Sequence, residues 1–135
     1  MENLNHPIIE KIHARQILDS RGFPTIEVEV CASGIIGKAA VPSGASTGKF
    51  EALELRDLNQ NRFHGKEVRT AINNVINVFQ PKLINKRADN QVEIDNLLIK
   101  IDGTKNKSNY GANAILGISM ACAVVSAKFY QKPLY

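Results

Sequence analysis

The chain has 135 residues, of which 44% are hydrophobic and 22% charged, and its formal net charge is +4. This length suits one domain with a core of its own, and the composition is that of a globular protein rather than a disordered one. The basic residues are scattered and no aromatic residues alternate with them, so specific nucleic-acid binding is not predicted. Such a function would rest only on the basic pI of about 9.2.

The cysteines and the N-terminus both indicate a cytoplasmic protein. Cys31 and Cys122 are far apart in apolar segments, so we expect no disulfide framework and a reducing compartment. Residues 1–7 contain Glu2 and lack the apolar segment of a signal peptide. We interpret them as an N-terminal extension that precedes one domain, residues 8–135.

The first third of the chain predicts three strands. Residues 25–31 alternate between apolar and acidic side chains, which is typical of a half-buried strand. A weaker strand over residues 8–18 precedes it, and a third over residues 35–41 is closed by Pro42. Short turns rich in Gly, Ser, Asp and Pro separate the three. The pattern predicts an antiparallel meander.

The remainder of the chain predicts helices. From Lys66 onward, apolar residues recur at helical spacing, and Pro81 is expected to interrupt or bend that helix. A second helical pattern begins near Ala88 and ends before Asp102-Gly-Thr104. A third begins at Ser108 or Asn109 and runs to about Tyr130. Strands followed by helices predict an α+β fold.

The last predicted helix has no charged residue from Gly111 to Ala127. This run is at the short limit for crossing a bilayer and contains many small residues, so no membrane span is predicted. A helix that is apolar on all sides is more often buried between two layers. We therefore expect one covering layer to come from outside this chain, and we expect this face to self-associate.

One loop carries the chemical signal, the stretch Val41-Pro-Ser-Gly-Ala-Ser-Thr-Gly48. Its glycines allow backbone N–H groups to turn inward around an anion, and its hydroxyls are oxygen ligands suited to Mg²⁺. A nucleotide P-loop is excluded, because three residues rather than four separate the glycines and Phe50 follows Lys49. A plain surface turn is the alternative interpretation.

Several segments together, in order and spacing, resemble the enolase family. They are Ala14-Arg15, Ile17-Leu-Asp-Ser-Arg-Gly22, Pro24-Thr25, Val41-Pro-Ser-Gly-Ala-Ser-Thr-Gly48, Glu51-Ala-Leu-Glu-Leu-Arg-Asp57, Asp102-Gly-Thr104, Asn106-Lys-Ser108, Gly111-Ala-Asn-Ala-Ile-Leu-Gly117 and Pro133-Leu-Tyr135. The resemblance implies the N-terminal capping domain alone, a three-stranded antiparallel meander followed by a helical bundle. The family's large C-terminal β/α barrel is absent from this chain.

The resemblance implies a glycolytic lyase that dehydrates 2-phosphoglycerate to phosphoenolpyruvate with Mg²⁺ as cofactor. In this family a lysine base, a glutamate acid and the main metal carboxylates lie in the barrel. None of these positions is present here, so no catalytic residue is assigned and we expect the isolated chain to be inactive.

What carries over by resemblance is the loop. Ser46 is expected to ligate the second Mg²⁺ through its hydroxyl and carbonyl oxygens. The other loop residues are expected to let the loop swing and approach the substrate phosphate; they are Ser43, Gly44, Ala45, Thr47 and Gly48. Arg15 and Glu27 are candidates for salt bridges to the barrel of a second subunit in a homodimer or higher oligomer, and ordinary exposed charges are the alternative.

Three departures from the family pattern lie outside the loop: Phe23 stands where Asn is usual, residues 58–61 replace the more usual Gly-Asp, and Glu67 stands where Gly is usual. The alternative function is a free-standing, non-catalytic cap-like module that binds an anion or a partner. Whether the native chain continues past Tyr135 discriminates between the two functions.

Overall fold

The structure is a computed structural model that describes residues 5–135. Three antiparallel strands lie side by side in the order in which they occur along the chain. They are β1 (Ile9–Leu18), β2 (Pro24–Ala32) and β3 (Ile35–Ala40). The predicted meander is confirmed, since each strand agrees with its sequence pattern to within two residues at either end. Ser33 and Gly34 join β2 to β3 with φ values of 48° and 75°, as a two-residue hairpin turn requires.

The two faces of the sheet differ as the alternation in β2 predicts. Ile26, Val28 and Val30 point into the core and are fully buried. Glu27 and Glu29 point to the opposite face, where they meet basic residues of the neighbouring strands. One face of the sheet is therefore committed to the core and the other to solvent or a partner.

The first helical stretch changes its hydrogen-bonding pattern along its length. It consists of α1 (Arg69–Asn74), a π-helical segment (Val75–Phe79) and α2 (Gln80–Leu83); a 3₁₀ turn (Phe63–Gly65) precedes it. Pro81 does not end the helix but occupies the first turn of α2. A proline lacks an N–H and its ring crowds the carbonyl four residues earlier. The wider π turn just before it accommodates this crowding.

Two longer helices complete the fold, α3 (Gln91–Asp102) and α4 (Ala112–Phe129). Asn90 caps α3 by accepting a hydrogen bond from the Glu93 N–H, and Gly103 ends it at φ 72°. The expected start of the last helix at Ser108 or Asn109 is wrong. Those residues belong to a loop that is folded onto Asp102, whose backbone carbonyl accepts from the Asn109 amide and whose carboxylate accepts from the Tyr110 N–H, so the helix begins only after that loop.

Helix α4 lies directly on the sheet, and two glycines make this close approach possible. A Cβ on Gly37 of β3 would lie 2.4 Å from the backbone N of Val125, and one on Gly117 of α4 would lie 2.5 Å from a methyl carbon of Val28. Real Cβ atoms do not approach other atoms so closely. The glycines therefore set the distance between helix and sheet.

The two sides of α4 are covered differently. The side facing the sheet is buried, whereas Leu116 on the other side is 43% exposed. The sequence predicts that α4 is buried between two layers. Within the described residues, the layer on the side away from the sheet is incomplete. By length and composition α4 resembles a membrane-spanning helix, but it packs here as the core helix of an α+β domain.

The residues that precede β1 are attached to the domain. Pro7 accepts a hydrogen bond from the Ala88 N–H at 2.8 Å. The Asp89 carboxylate accepts hydrogen bonds from Arg87, from the Tyr130 hydroxyl at 2.7 Å and from His6 Nδ1 at 3.1 Å. Of the predicted extension, residues 1–4 lie outside the described residues.

The glycine contact gives a first prediction. Replacing Gly37 with Ala places a methyl group against the backbone of α4, which cannot yield without moving the helix. We expect the free energy of unfolding to fall by about 3 kcal/mol, measured by urea denaturation. A matched control is Gly48→Ala, since a Cβ there meets nothing within 4 Å and the change should be within about 0.5 kcal/mol. Equal stability of the two variants would contradict the close helix–sheet contact.

The Asp89 cluster gives a second prediction. Burial alone would raise the pKa of Asp89, but hydrogen bonds from Arg87, Tyr130 and His6 outweigh it and lower the pKa from 3.8 to about 2. A carboxylate whose pKa is lower in the folded than in the unfolded state stabilises the fold at any pH above its unfolded-state pKa. This contribution is lost as the pH falls from about 4 towards 2. When the pH is lowered from 5 to 2, the free energy of unfolding of Asp89→Asn should therefore fall by about 2 kcal/mol less than that of the unaltered chain.

Thermal unfolding followed by circular dichroism across this pH range measures the difference. Glu93→Gln serves as the control, because Glu93 forms an exposed surface pair with Lys86 and such pairs contribute little. If acidification destabilised Asp89→Asn as much as it destabilises the Glu93→Gln control, the hydrogen bonds to Asp89 would not lower its pKa as described.

Candidate functional site

The predicted loop follows β3 directly and is exposed over most of its length. Val41 is still buried and fixed, since its N–H donates to the Ile26 carbonyl at 2.9 Å and its carbonyl accepts from the Thr25 hydroxyl at 2.6 Å. Residues 44–50 are all exposed, and the Phe50 side chain is 94% exposed. Within the described residues, nothing in 45–47 hydrogen-bonds to the rest of the domain.

The first residue of the loop is held by charged side chains. The Ser43 hydroxyl donates to Glu54 Oε2 at 3.1 Å and accepts from Arg56 Nη2 at 3.2 Å. Arg21 donates from Nη2 to the carbonyl oxygens of Ser43 and Gly44 at 3.3 and 3.2 Å. The loop therefore leaves the sheet from a fixed point.

Arg21 is itself positioned by the turn between β1 and β2. The Asp19 carboxylate accepts hydrogen bonds from the backbone N–H groups of Phe23 and Arg21. The bond from Phe23 contributes most to holding the pKa of Asp19 below its usual value. The ring of Phe23 lies 3.7 Å from the Lys66 ammonium and 5.8 Å from the Arg21 guanidinium. Phe23, which departs from the family pattern, thus packs against two cations.

The other end of the loop is closed and then joined to α4. Glu51 accepts a hydrogen bond from the Gly48 N–H at 2.9 Å. The extended segment that follows pairs with the start of α4, because the Asn113 amide accepts from the Leu55 N–H and donates to the Leu55 carbonyl, both at 3.1 Å. Asn113 is only 2% exposed. One side chain thereby takes the place of a neighbouring strand.

Two aspartates extend this support. Asp57 accepts from the N–H groups of Arg69 and Thr70 at 3.0 Å each, so it caps α1. Asp102 is buried and accepts from the side chain of Thr104 and the N–H of Tyr110. Burial would raise the pKa of Asp102, but these hydrogen bonds keep it below the usual value. The segments on either side of Leu55 are therefore rigidly placed.

A cleft of about 420 Å³ lies beside the loop. Ser43 and Gly44 form part of its rim, Asp95 and Ile99 of α3 form another, and the first two turns of α4 form its base. Ile99 is 45% exposed there. An open, partly apolar hollow next to a polar loop is a place where a ligand or another protein surface fits.

The donor groups of the loop suit Mg²⁺ but do not make a complete site. Ser46 offers a hydroxyl and a carbonyl oxygen, which are hard ligands of the right kind. Within residues 5–135, no group of three or more His, Cys, Asp or Glu side chains is placed to hold a metal ion. Ser46 can therefore contribute to a magnesium site whose carboxylates come from elsewhere.

The candidate subunit contacts lie on the outer face of the sheet. Arg15 donates to Glu27 at 3.0 Å and to Glu29 at 3.0 Å, and Lys38 completes the row at 3.2 Å from Glu29. The hydrogen bond from Lys38 contributes most to lowering the pKa of Glu29. Arg15 and Glu27 thus pair with each other across the strands, and their role as subunit contacts stays a prediction.

The sequence singled out the loop but not the side chains that hold it. Glu54, Arg56 and Asn113 lie within segments that carried the family resemblance, but no role was expected for them. One signal was present, since residues two apart in an extended segment point to the same side. Glu54 and Arg56 have this spacing and opposite charges.

Asn113 gives a third prediction. Asn113→Leu keeps the volume but leaves the N–H and carbonyl of Leu55 buried without partners. We expect the free energy of unfolding to fall by about 2 kcal/mol, and the Leu55 amide to exchange its hydrogen faster, as measured by NMR. The matched control is Asn96→Leu on the exposed side of α3, which should change stability by less than about 0.5 kcal/mol. Unchanged exchange at Leu55 would refute the pairing.

Comparison with known proteins agrees with this geometry. Residues 9–135 match the family model described as "Enolase, N-terminal domain". The enolases of Methanosarcina mazei, Methanosarcina acetivorans and Methanosarcina barkeri are each 58% identical to the chain over 127 residues. The aligned region covers 94% of this chain but only 30% of each relative. The chain thus has the three-stranded sheet, the helices and the sequence of its relatives' N-terminal part, and it belongs to the enolase N-terminal domain family.

Proposed function

We propose that this chain acts as the capping domain of an enolase, which dehydrates 2-phosphoglycerate to phosphoenolpyruvate. The observation that carries the proposal is the loop, whose residues 44–50 are exposed, whereas Ser43 before them and Leu53 after them are hydrogen-bonded to the rest of the domain. Such a segment can move over a neighbouring site without disturbing the fold that supports it.

In this proposal the loop closes over substrate bound to the C-terminal barrel. The exposed N–H groups of residues 45–47 approach the phosphate, and Ser46 brings its hydroxyl and carbonyl oxygens to the second Mg²⁺. When bound, Mg²⁺ supplies electrostatic stabilisation of the negative charge that develops on the substrate carboxylate. Closure excludes water and places these groups around the reacting molecule.

The cleft beside the loop supports an interface with the barrel. Ile99 and Leu116 line the cleft and are 45% and 43% exposed, and apolar surface of this kind is usually covered in the assembled protein. The outer charged face of the sheet, with Arg15 and Glu27, is available for a second subunit. We propose a homodimer or higher oligomer in the cytoplasm, in which each face of the domain has a partner.

The same cleft favours a second candidate function. A non-catalytic module would use the loop to bind an anion and the cleft to bind a protein partner. The two candidates differ in one respect, because only the first requires that the loop take part in chemistry when a barrel is present.

A chimera tests this difference and gives a fourth prediction. This chain replaces the matching N-terminal region of the Methanosarcina mazei enolase, with which it is 58% identical. The chimera should form phosphoenolpyruvate from 2-phosphoglycerate in the presence of Mg²⁺. Ser46→Ala should lower kcat about a hundredfold, since misplacement of a positioning group costs this much, while the affinity for the first Mg²⁺ stays unchanged.

Two controls accompany the chimera. Ser126→Ala removes a hydroxyl that donates to the Cys122 carbonyl on α4, far along the chain from the loop, and should keep full activity. The purified chain without a barrel should form no phosphoenolpyruvate, because no lysine base is assigned within it. Activity of the Ser46→Ala chimera equal to that of the unaltered chimera would overturn the proposed role of the loop and favour the binding module.

A further inference from the structure

The loop begins at a closed ring of hydrogen bonds. The Ser43 hydroxyl donates to Glu54 Oε2 at 3.1 Å and accepts from Arg56 Nη2 at 3.2 Å. The same Nη2 donates to Glu54 Oε1 at 2.6 Å. A hydroxyl that both donates to a carboxylate and accepts from a guanidinium has a single preferred orientation, and bonds to charged groups are the strong ones.

Arg56 cannot follow Ser43 if the loop moves. Its other terminal nitrogen, Nη1, donates to the Pro24 carbonyl at 2.5 Å and to the Lys66 carbonyl. The guanidinium side chain is only 14% exposed. It therefore joins the start of β2, the segment before α1 and the first residue of the loop in one rigid arrangement.

The backbone around Glu54 and Arg56 is equally fixed. Leu55, which lies between them, is paired to Asn113 through both its N–H and its carbonyl. Leu53 is paired in the same way, to the Asn106 carbonyl at 2.8 Å and to the Ala112 N–H at 2.7 Å. The carboxylate and the guanidinium thus project from a segment that is hydrogen-bonded to the start of α4 and to the α3–α4 connection, and not from the loop.

We infer that Glu54 and Arg56 are positioning residues that hold Ser43 as the stationary end of the loop. The family resemblance suggested that Ser43 swings with the loop. We infer instead that Ser43 stays in place and fixes the point from which residues 44–48 move. Ser46 lies three residues beyond this point. A displacement of Ser43 therefore displaces the hydroxyl and carbonyl oxygens of Ser46. The consequence for catalysis rests on the function proposed above, whereas the anchoring itself does not.

The anchoring is tested on the chain alone by trypsin digestion under native conditions. Lys49 is an exposed cleavage site directly after the loop, and Lys105 is an exposed reference site in the α3–α4 connection. We expect Ser43→Ala and Arg56→Lys each to raise the rate of cleavage at Lys49 about tenfold relative to Lys105, because hydrogen bonds to charged groups are lost. The double variant should show the same tenfold change, since both act on one ring.

Two control variants are matched to these changes. Ser43→Thr keeps the hydroxyl and should keep the protection of Lys49. Arg87→Lys alters another arginine paired with a carboxylate two residues away, Asp89, and should leave the ratio unchanged. An unchanged ratio in both Ser43→Ala and Arg56→Lys, or effects that multiply in the double variant, would overturn the inference. A parallel rise at Lys49 and Lys105 in Ser43→Ala would also overturn it, because it would mean general destabilisation.

The chimera with the Methanosarcina mazei barrel tests the consequence for catalysis. Ser43→Ala and Arg56→Lys should lower kcat about tenfold with little change in KM, because the misplaced loop loses interactions made in the transition state. Ser43→Thr should restore kcat. An inactive unaltered chimera would count against the proposed function and leave the digestion result valid. An active chimera whose variants keep full kcat would overturn the role of the ring in positioning.

Discussion

The contact between α4 and the sheet is the constraint on which the rest of the structure depends. Gly37 and Gly117 allow the helix to lie so close that a single methyl group would not fit between helix and strand. This distance fixes where the N-terminus of α4 lies and therefore where Asn113 can pair with Leu55. The segment that supports the loop is thus positioned by packing, not by the pairing of strands.

The distribution of hydrogen bonds divides the loop region into two parts. Serine, glutamate, arginine and asparagine side chains fix Ser43 and the segment after the loop. Residues 45–47 have none of these bonds within the described residues. Unpaired N–H and hydroxyl groups that face water lose little, and they remain available to a ligand. A segment of this kind combines a fixed starting point with free binding groups.

Much of the fold follows from local patterns, and the exceptions have a physical cause. The alternation in β2 predicted which residues are buried, since Ile26 and Val28 are fully buried. The predicted start of α4 was wrong because Ser108 and Asn109 resemble helix caps, whereas the loop before α4 is hydrogen-bonded to the backbone carbonyl and the buried carboxylate of Asp102. A contact that spans the loop is not visible in local spacing.

The same reasoning explains what the sequence revealed of the site. The loop residues stand out by composition, because glycine and serine in such density are informative on their own. Glu54 and Arg56 stand out only when the position of Ser43 is known, since their importance lies in contacts across 11 and 13 residues. Glu67 is similar: a carboxylate where the family usually has glycine is explained by its ion pair at 2.8 Å with Arg62, whose side chain is half exposed.

The chemistry of the loop argues for its dependence on a partner surface. Ser46 offers oxygen ligands, but one hydroxyl and one carbonyl do not replace the water shell of Mg²⁺, which dehydrates reluctantly and needs carboxylates or phosphate oxygens. The nearest loop carboxylate, Glu51, is already hydrogen-bonded to the Gly48 N–H. In the proposed function, the loop therefore gains affinity for Mg²⁺ only when another surface brings negative charge to it. The rigid support at Ser43 then determines how accurately its free groups meet that surface.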